Sequence, residues 1–307
     1  MNTKLYSFTL GGAPAPENKF NKYYTNKRVR NSIFLSPCTC DEIEEIIKSF
    51  ENDKASDISI VVLKKCSKLL SGHLSGFINT FMGCGIFPSI LKVGRVAPIY
   101  KKGDPRLLDN YRPISVLPVF GKVFEKVLYS RLYNFLTSMN VIYDKQFGFR
   151  KNHSTSHAIN YSVDKILKEI ESKNHVIGVF IDLSKAFDTI DHKKLLAKLE
   201  CYGIRGIPLD LLRSYLSNRA QFTDFQGTFS DRCYVEYGVP QGSVLGPLLF
   251  IIYINDIINC SILGDFVLYL LMTQTSLLQE KQLKLPMKMQ IMFLKKCMTI
   301  CLLTNSI

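Results

Sequence analysis

A chain of 307 residues that is 47% apolar carries enough hydrophobic side chain for a sizeable core, which excludes a disordered polypeptide. Its formal net charge of +13 points to a polyanionic partner, nucleic acid first, because clustered Lys and Arg gain affinity by displacing counterions from phosphates. The nine cysteines lack zinc-ribbon or finger spacing and read as free thiols of a reducing compartment, and Met1 to Ser7 lacks the apolar run of a secretory signal, so an intracellular protein, nuclear or cytoplasmic and not secreted, is expected.

In chain order, residues 1–40 are polar and punctuated by Gly11-Gly-Ala-Pro-Ala-Pro16, with a basic Asn26-Lys-Arg-Val-Arg30, and predict a linker or arm. From Asp41, expected as an N-cap, Ile43, Ile46, Ile47 and Phe50 fall at helical spacing, and Val61 to Met82 predicts a second helix. Val93 to Tyr100 is short and β-branched and predicts a strand, which runs into the turn Lys101-Lys-Gly-Asp-Pro105. Phe120 to Met139 has the pattern of an amphipathic helix. Asp164 to Lys173 reads as helix and leads into Val176 to Ile181, apolar on both faces as a central strand is, with Asp182 at its end. Helices are expected at Lys193 to Tyr202 and Leu209 to Leu216, and a further β region at Tyr234 to Val239, before the turn Pro240-Gln-Gly242. Leu248 to Ile254 is the most apolar stretch, but it is far short of the ~20 residues of a membrane span, so it predicts a core helix and no membrane partner.

Several residues carry chemistry. Nucleotidyl transfer needs two magnesium ions roughly 3.5–4 Å apart, held by carboxylate and water oxygens, and a carboxylate at the tip of a buried strand holds such ions rigidly. Asp182 has that position. The competing reading is an N-cap for the turn that begins Asp182-Leu-Ser-Lys. Lys101, Lys102 and Arg112 can grip a triphosphate, Arg112 through its planar fork, against an alternative of solvated surface charge. Gln241 and Gly242 form a turn that permits close backbone approach to a base or sugar, or a generic turn. His153, His157, His175 and His192 show no general-base or ligand spacing and read as packing or surface residues.

Taken together, Val96 to Asp104, Asn110 to Pro118, Gln146 to Thr155, Phe180 to Asp188 and Gly238 to Leu249 stand in the order of the blocks of reverse transcriptases from non-LTR (LINE-type) retrotransposons. From about Phe20 to Leu268 the chain resembles that family. The resemblance implies an α+β right-hand polymerase over residues 41–268, with fingers and a partial, ferredoxin-like palm sheet, and no recognisable thumb. It implies two Mg²⁺ ions, with Asp182 and the carbonyl of Leu183 as ligands. Phe187 matches the bulky residue beneath the sugar that selects deoxynucleotides, Lys101, Lys102 and Arg112 match triphosphate-binding residues, and Gln241 with Gly242 match the turn that touches nucleotide and template. Partners would be an RNA template, a DNA primer and deoxynucleoside triphosphates; protein partners are not indicated.

One block departs from the family. Where a hairpin bearing Ala-Asp-Asp is expected, the chain has Leu268-Tyr-Leu-Leu-Met-Thr-Gln-Thr275, and no adjacent carboxylates occur after Asp256. Asp265 precedes Met272 by seven residues, roughly 23 Å of extended chain, too far to substitute. Read two nucleotides later, the Met272–Thr273 junction necessarily encodes aspartate, and the codons before it permit Ala and Asp. Five of the eight methionines follow Leu271, and no arginine follows Arg232. Residues 269–307 are therefore expected to be an out-of-frame tail, and this copy an inactive polymerase domain. A non-catalytic nucleic-acid-binding remnant is the alternative.

Overall fold

The computed structural model describes residues 28–52, 55–173 and 186–256, apart from the side chain of Asp109. The expected strand Val176–Ile181, Asp182, Leu183 and the whole segment 257–307 lie outside the described residues. Among the described residues eight α-helices and five strands follow one another: α1 (Cys40–Lys48), α2 (Ile60–Lys65), α3 (Ser67–Cys84), β1 (Val93–Tyr100), β2 (Tyr111–Val116), α4 (Val119–Ser138), α5 (Thr155–Glu171), α6 (His192–Cys201), α7 (Ile207–Leu216), β3 (Arg219–Phe225), β4 (Thr228–Phe229), β5 (Cys233–Val235) and α8 (Gly246–Ile254). The fold is mixed α and β with a mixed sheet.

The helices are largely where periodicity puts them, with three corrections. The N-cap of α1 is Thr39, whose hydroxyl accepts from the Glu42 N–H at 3.2 Å; Asp41 stands inside the first turn, where its charge still suits the positive end of the helix dipole. The expected helix from Val61 to Met82 is two helices that break at Cys66, whose ψ of 3° leaves the helical range. Helix α5 begins at Thr155, capped by the Ser154 hydroxyl on the His157 N–H at 3.3 Å, well before Asp164.

Helix α4 runs through the core with Val123, Phe124, Val127, Leu128, Leu132 and Leu136 buried. Helix α8 is buried around almost its whole circumference, as its unbroken apolar sequence requires. Phe87 packs between α4 and α7, stacked on Phe124 at 5.0 Å and edge-on to Tyr215 at 5.0 Å. Residues 28–39, expected within an arm, pack on this core: Val29, Ile33 and Cys38 are buried, and the N–H groups of Val29 and Ile33 donate to the carbonyls of Cys201 and Gly203. Arg131 pins the segment by donating to the carbonyls of Ser36 and Pro37 and to both carboxylate oxygens of Glu42.

The sheet has the order β2-β1-β3-β4, with β5 also on β3. Strand β1 is antiparallel to β2 and parallel to β3, although β3 lies more than a hundred residues along the chain. Strand β2 was not expected, because Pro113 interrupts it. The register explains its tolerance. Pro98 stands opposite Pro113, and the pairs on either side, Arg112 with Ile99 and Ile114 with Ala97, are those placed to exchange ladder hydrogen bonds. The Ser115 N–H confirms this phase by pointing off the sheet edge to the Gln241 carbonyl at 3.0 Å. Pro113 therefore removes no ladder bond, and Pro98, whose nitrogen faces the β3 side, stands past Val96↔Thr223, where the parallel pairing ends.

Candidate active site

The turn 238–246 is the point at which separate parts of the sequence meet. Gly238 donates its N–H to the Ile190 carbonyl at 2.8 Å, and Val239 donates to the Phe187 carbonyl at 2.8 Å. Gly238 has φ +81°, and a Cβ there would stand 2.6 Å from the Phe187 carbonyl oxygen and 2.7 Å from the Asp188 Cα. Both observations require glycine, since the obstacles are backbone atoms that cannot rotate aside. Gly242 repeats the pattern against β2, with φ +106° and a hypothetical Cβ 2.8 Å from the Ser115 carbonyl oxygen. The turn thus fastens residues 187–190 to the free edge of β2.

The side chains follow the backbone. Phe187 lies edge-on to Phe149 at 5.8 Å and against Phe250 of α8 at 5.3 Å, which fixes its ring. The Gln241 amide nitrogen donates to both Asp188 oxygens, at 3.3 and 3.2 Å; a carboxylate only accepts, so this contact orients the amide with its oxygen turned elsewhere. A His192 ring nitrogen lies 2.7 Å from the Gly238 carbonyl, a contact that serves packing of the turn.

Arg112 lies on β2 three residues before Ser115, opposite Ile99, so alternation puts it on the sheet face of Arg95, Ala97 and Ile99. Lys101 continues that alternation, since its N–H still pairs with the Asn110 carbonyl at 2.8 Å, and it is a diagonal neighbour of Arg112. Lys102 is exposed in the adjoining turn, in which Gly103 has φ +100°. The hairpin carrying these cations ends about 13 Å along the strand from Ser115 by extended rise. Phe187, Gln241 and Gly242 therefore form one cluster, Lys101, Lys102 and Arg112 a second one on the same hairpin, and Asp182 and Leu183 lie outside the described residues.

Asp188, Ser115 and Glu125 were missed as site residues. Asp188 and Ser115 fall within the quoted blocks and carry no signal of their own. Glu125 does: it shares a helical stripe with Gly121, Leu128 and Leu132, all turned inward, and a charged residue on a core stripe marks a buried polar contact. Burial pushes its carboxyl above the usual range, while Arg219 and the amides of Val244 and Leu245 pull it back down.

Among the described residues no three acidic, histidine or cysteine side chains converge on a common point where a metal ion could sit, and no helix is long and apolar enough to cross a membrane. Residues 99–270 match the family model described as reverse transcriptase (RNA-dependent DNA polymerase). The chain is 32% identical over 235 residues to the probable RNA-directed DNA polymerase from transposon X-element of Drosophila melanogaster, covering 75% of this chain and 26% of that protein. It is 31% identical over 241 residues to the RNA-directed DNA polymerase from mobile element jockey of the same species, covering 76% and 26%. A similar match, 32% over 236 residues with 74% and 25% covered, is to the probable RNA-directed DNA polymerase from transposon BS. The chain spans about a quarter of the length of these relatives. With its ordered blocks, its glycine-hinged turn and this breadth of similarity, the chain belongs to the reverse transcriptases of non-LTR, LINE-type retrotransposons.

Proposed function

We propose that this chain is the fingers and partial palm of an RNA-directed DNA polymerase that binds RNA–DNA duplex and no longer supports two-metal nucleotidyl transfer. The observation that carries the binding half is the turn 238–246, which brings Phe187 and Gln241 beside the strand that bears Arg112. In this reading Phe187 supports the sugar of the incoming deoxynucleotide and excludes a 2′-hydroxyl, Gln241 and Gly242 face nucleotide and template, and Lys101, Lys102 and Arg112 take the triphosphate. Asp182 and the Leu183 carbonyl are the metal ligands that remain, and Mg²⁺ would supply activation of a primer hydroxyl and neutralisation of phosphate charge.

The inactivity half rests on the sequence beyond Asp256. A lone Asp182 cannot hold two divalent ions against their mutual repulsion, and the chain offers no acidic pair after that point. The family match ends at residue 270, which supports reading residues 269–307 as an out-of-frame tail. A site with its phosphate-binding cations but without its second and third carboxylates binds and does not turn over.

Binding and incorporation measured on one preparation separate these halves. We expect submicromolar affinity for an RNA–DNA primer–template at low salt that falls steeply as salt rises, with log affinity linear in log salt. We expect no Mg²⁺-dependent primer extension. Salt-insensitive or absent duplex binding would remove the first half, and robust extension the second.

A further inference from the structure

The turn that presents Gln241 and Gly242 is held from beneath by a buried carboxylate. Glu125, 1% exposed on α4, accepts through Oε2 from the backbone N–H of Val244 at 2.5 Å and of Leu245 at 3.2 Å. Its Oε1 accepts from the Tyr215 hydroxyl at 3.1 Å. Helix α8 begins directly after these amides, with Leu245 as its N-cap and no side-chain cap of its own. Glu125 therefore supplies from another helix an acceptor for the two amides just ahead of α8, the second of them that of its N-cap residue.

The balancing charge comes from β3. Arg219, 2% exposed, lies 4.7 Å over the Tyr215 ring and donates from Nη1 to the Tyr215 carbonyl at 3.1 Å. Its Nη2 has no hydrogen-bond partner among the described residues. Burying this pair is expensive, and apolar side chains of similar volume would fill the space at lower cost. What the carboxylate adds is direction, because it fixes two consecutive amides of the turn at one point. Ser243 completes the turn from within, donating to the Pro240 carbonyl at 2.8 Å and accepting from the Gly246 N–H at 3.0 Å.

We propose that Glu125 is a positioning residue of the polymerase site, holding the 240–245 turn so that Gln241 and Gly242 face the nucleotide and template. The proposal rests on the reading of that turn given above. Glu125→Leu removes the acceptor and should speed amide exchange at Val244 and Leu245 at least about tenfold, the equivalent of one lost hydrogen bond. The same change should weaken binding of an RNA–DNA primer–template about fivefold, while in a Gln241→Ala background it should change binding less than about twofold, because it acts through that residue. Glu125→Gln keeps an acceptor oxygen and should preserve most of the protection. Val127→Ala, a buried change on the same helix, should leave the two amides protected.

If Glu125→Leu does not fold, Glu125→Asp tests the same point, since the shorter side chain keeps the charge but withdraws it from the amides. Unchanged exchange at Val244 and Leu245 overturns the proposal, as does a binding loss that Val127→Ala reproduces or that adds fully to Gln241→Ala. Intact duplex binding by Gln241→Ala alone would instead overturn the role assigned to the turn, with the exchange result left standing.

Discussion

Gly238 and Gly206 separate two consequences of a positive φ. Gly206, at φ +63°, has open space around a hypothetical Cβ, whereas at Gly238, with φ +81°, backbone atoms of residues 187 and 188 stand within 2.8 Å. Gly206 has ψ −138°, a combination essentially confined to glycine, so Gly206→Ala is expected to cost about 2–3 kcal/mol of backbone strain alone, and Gly238→Ala about 4 kcal/mol or more, because the chain must also part from its neighbour. Urea unfolding of the two variants measures the difference directly. Cys38 offers a pH-dependent counterpart. Burial pushes its thiol up to about 11, with the nearby Glu42 adding to the shift. The unfolded thiol ionises first as pH rises, so stability from this group is present at neutral pH and is lost between about pH 9 and 11. Cys38→Ala should flatten the fall of Tm over that interval, and at pH 8.5 an alkylating reagent should label exposed Cys40, Cys84 and Cys233 before Cys38. At this scale the sequence singles out Phe187, Gln241 and Gly242 through their blocks, and the turn gathers them into one cluster. It hid Asp188 and Ser115, whose roles come from partners distant in the chain.

Helices were more legible than strands, for a physical reason. A helix is specified by its own periodicity and caps, so α4, α6, α7 and α8 fall within a few residues of their expected bounds. A strand is specified by its neighbours. Strand β2 contains Pro113, and only its phase against β1 shows that the missing N–H faces away from the ladder. Strand β3 has the mixed sequence Arg219-Ala-Gln-Phe-Thr-Asp-Phe225 and gains its place from pairing with β1 and from the ion pair of Asp224 with Arg95 at 3.0 Å. The join of α1 to α4 can be tested at two strengths. Thr39→Ala removes only the α1 cap and should cost roughly 1 kcal/mol. Arg131→Ala breaks the bidentate contact with Glu42 and also frees the carbonyls of Ser36 and Pro37; a loss of about 2 kcal/mol or more is expected, mostly retained in high salt because the guanidinium is largely buried. Denaturation in low and high salt checks both, and equal losses in the two variants would contradict the arrangement.

For the whole molecule, the order of blocks carried more than any single one, since an Asp at a strand end or a Gln-Gly turn alone has ordinary explanations. The sequence could not give the parallel pairing of β1 with β3 or the descent of the 240–245 turn onto Glu125, both of which depend on contacts between distant segments. It did give the change of character after Leu271, because the genetic code constrains what a shifted register encodes. In the function proposed above, the chain is a duplex-binding polymerase domain whose chemistry was lost with one acidic pair. Primer extension on an RNA template with Mg²⁺ tests it most directly, comparing the present chain with one translated two nucleotides later from codon 270 onward. No extension by the present chain and measurable extension by the restored one are expected; robust synthesis by the present chain, or none by a folded, duplex-binding restored chain, would contradict this function.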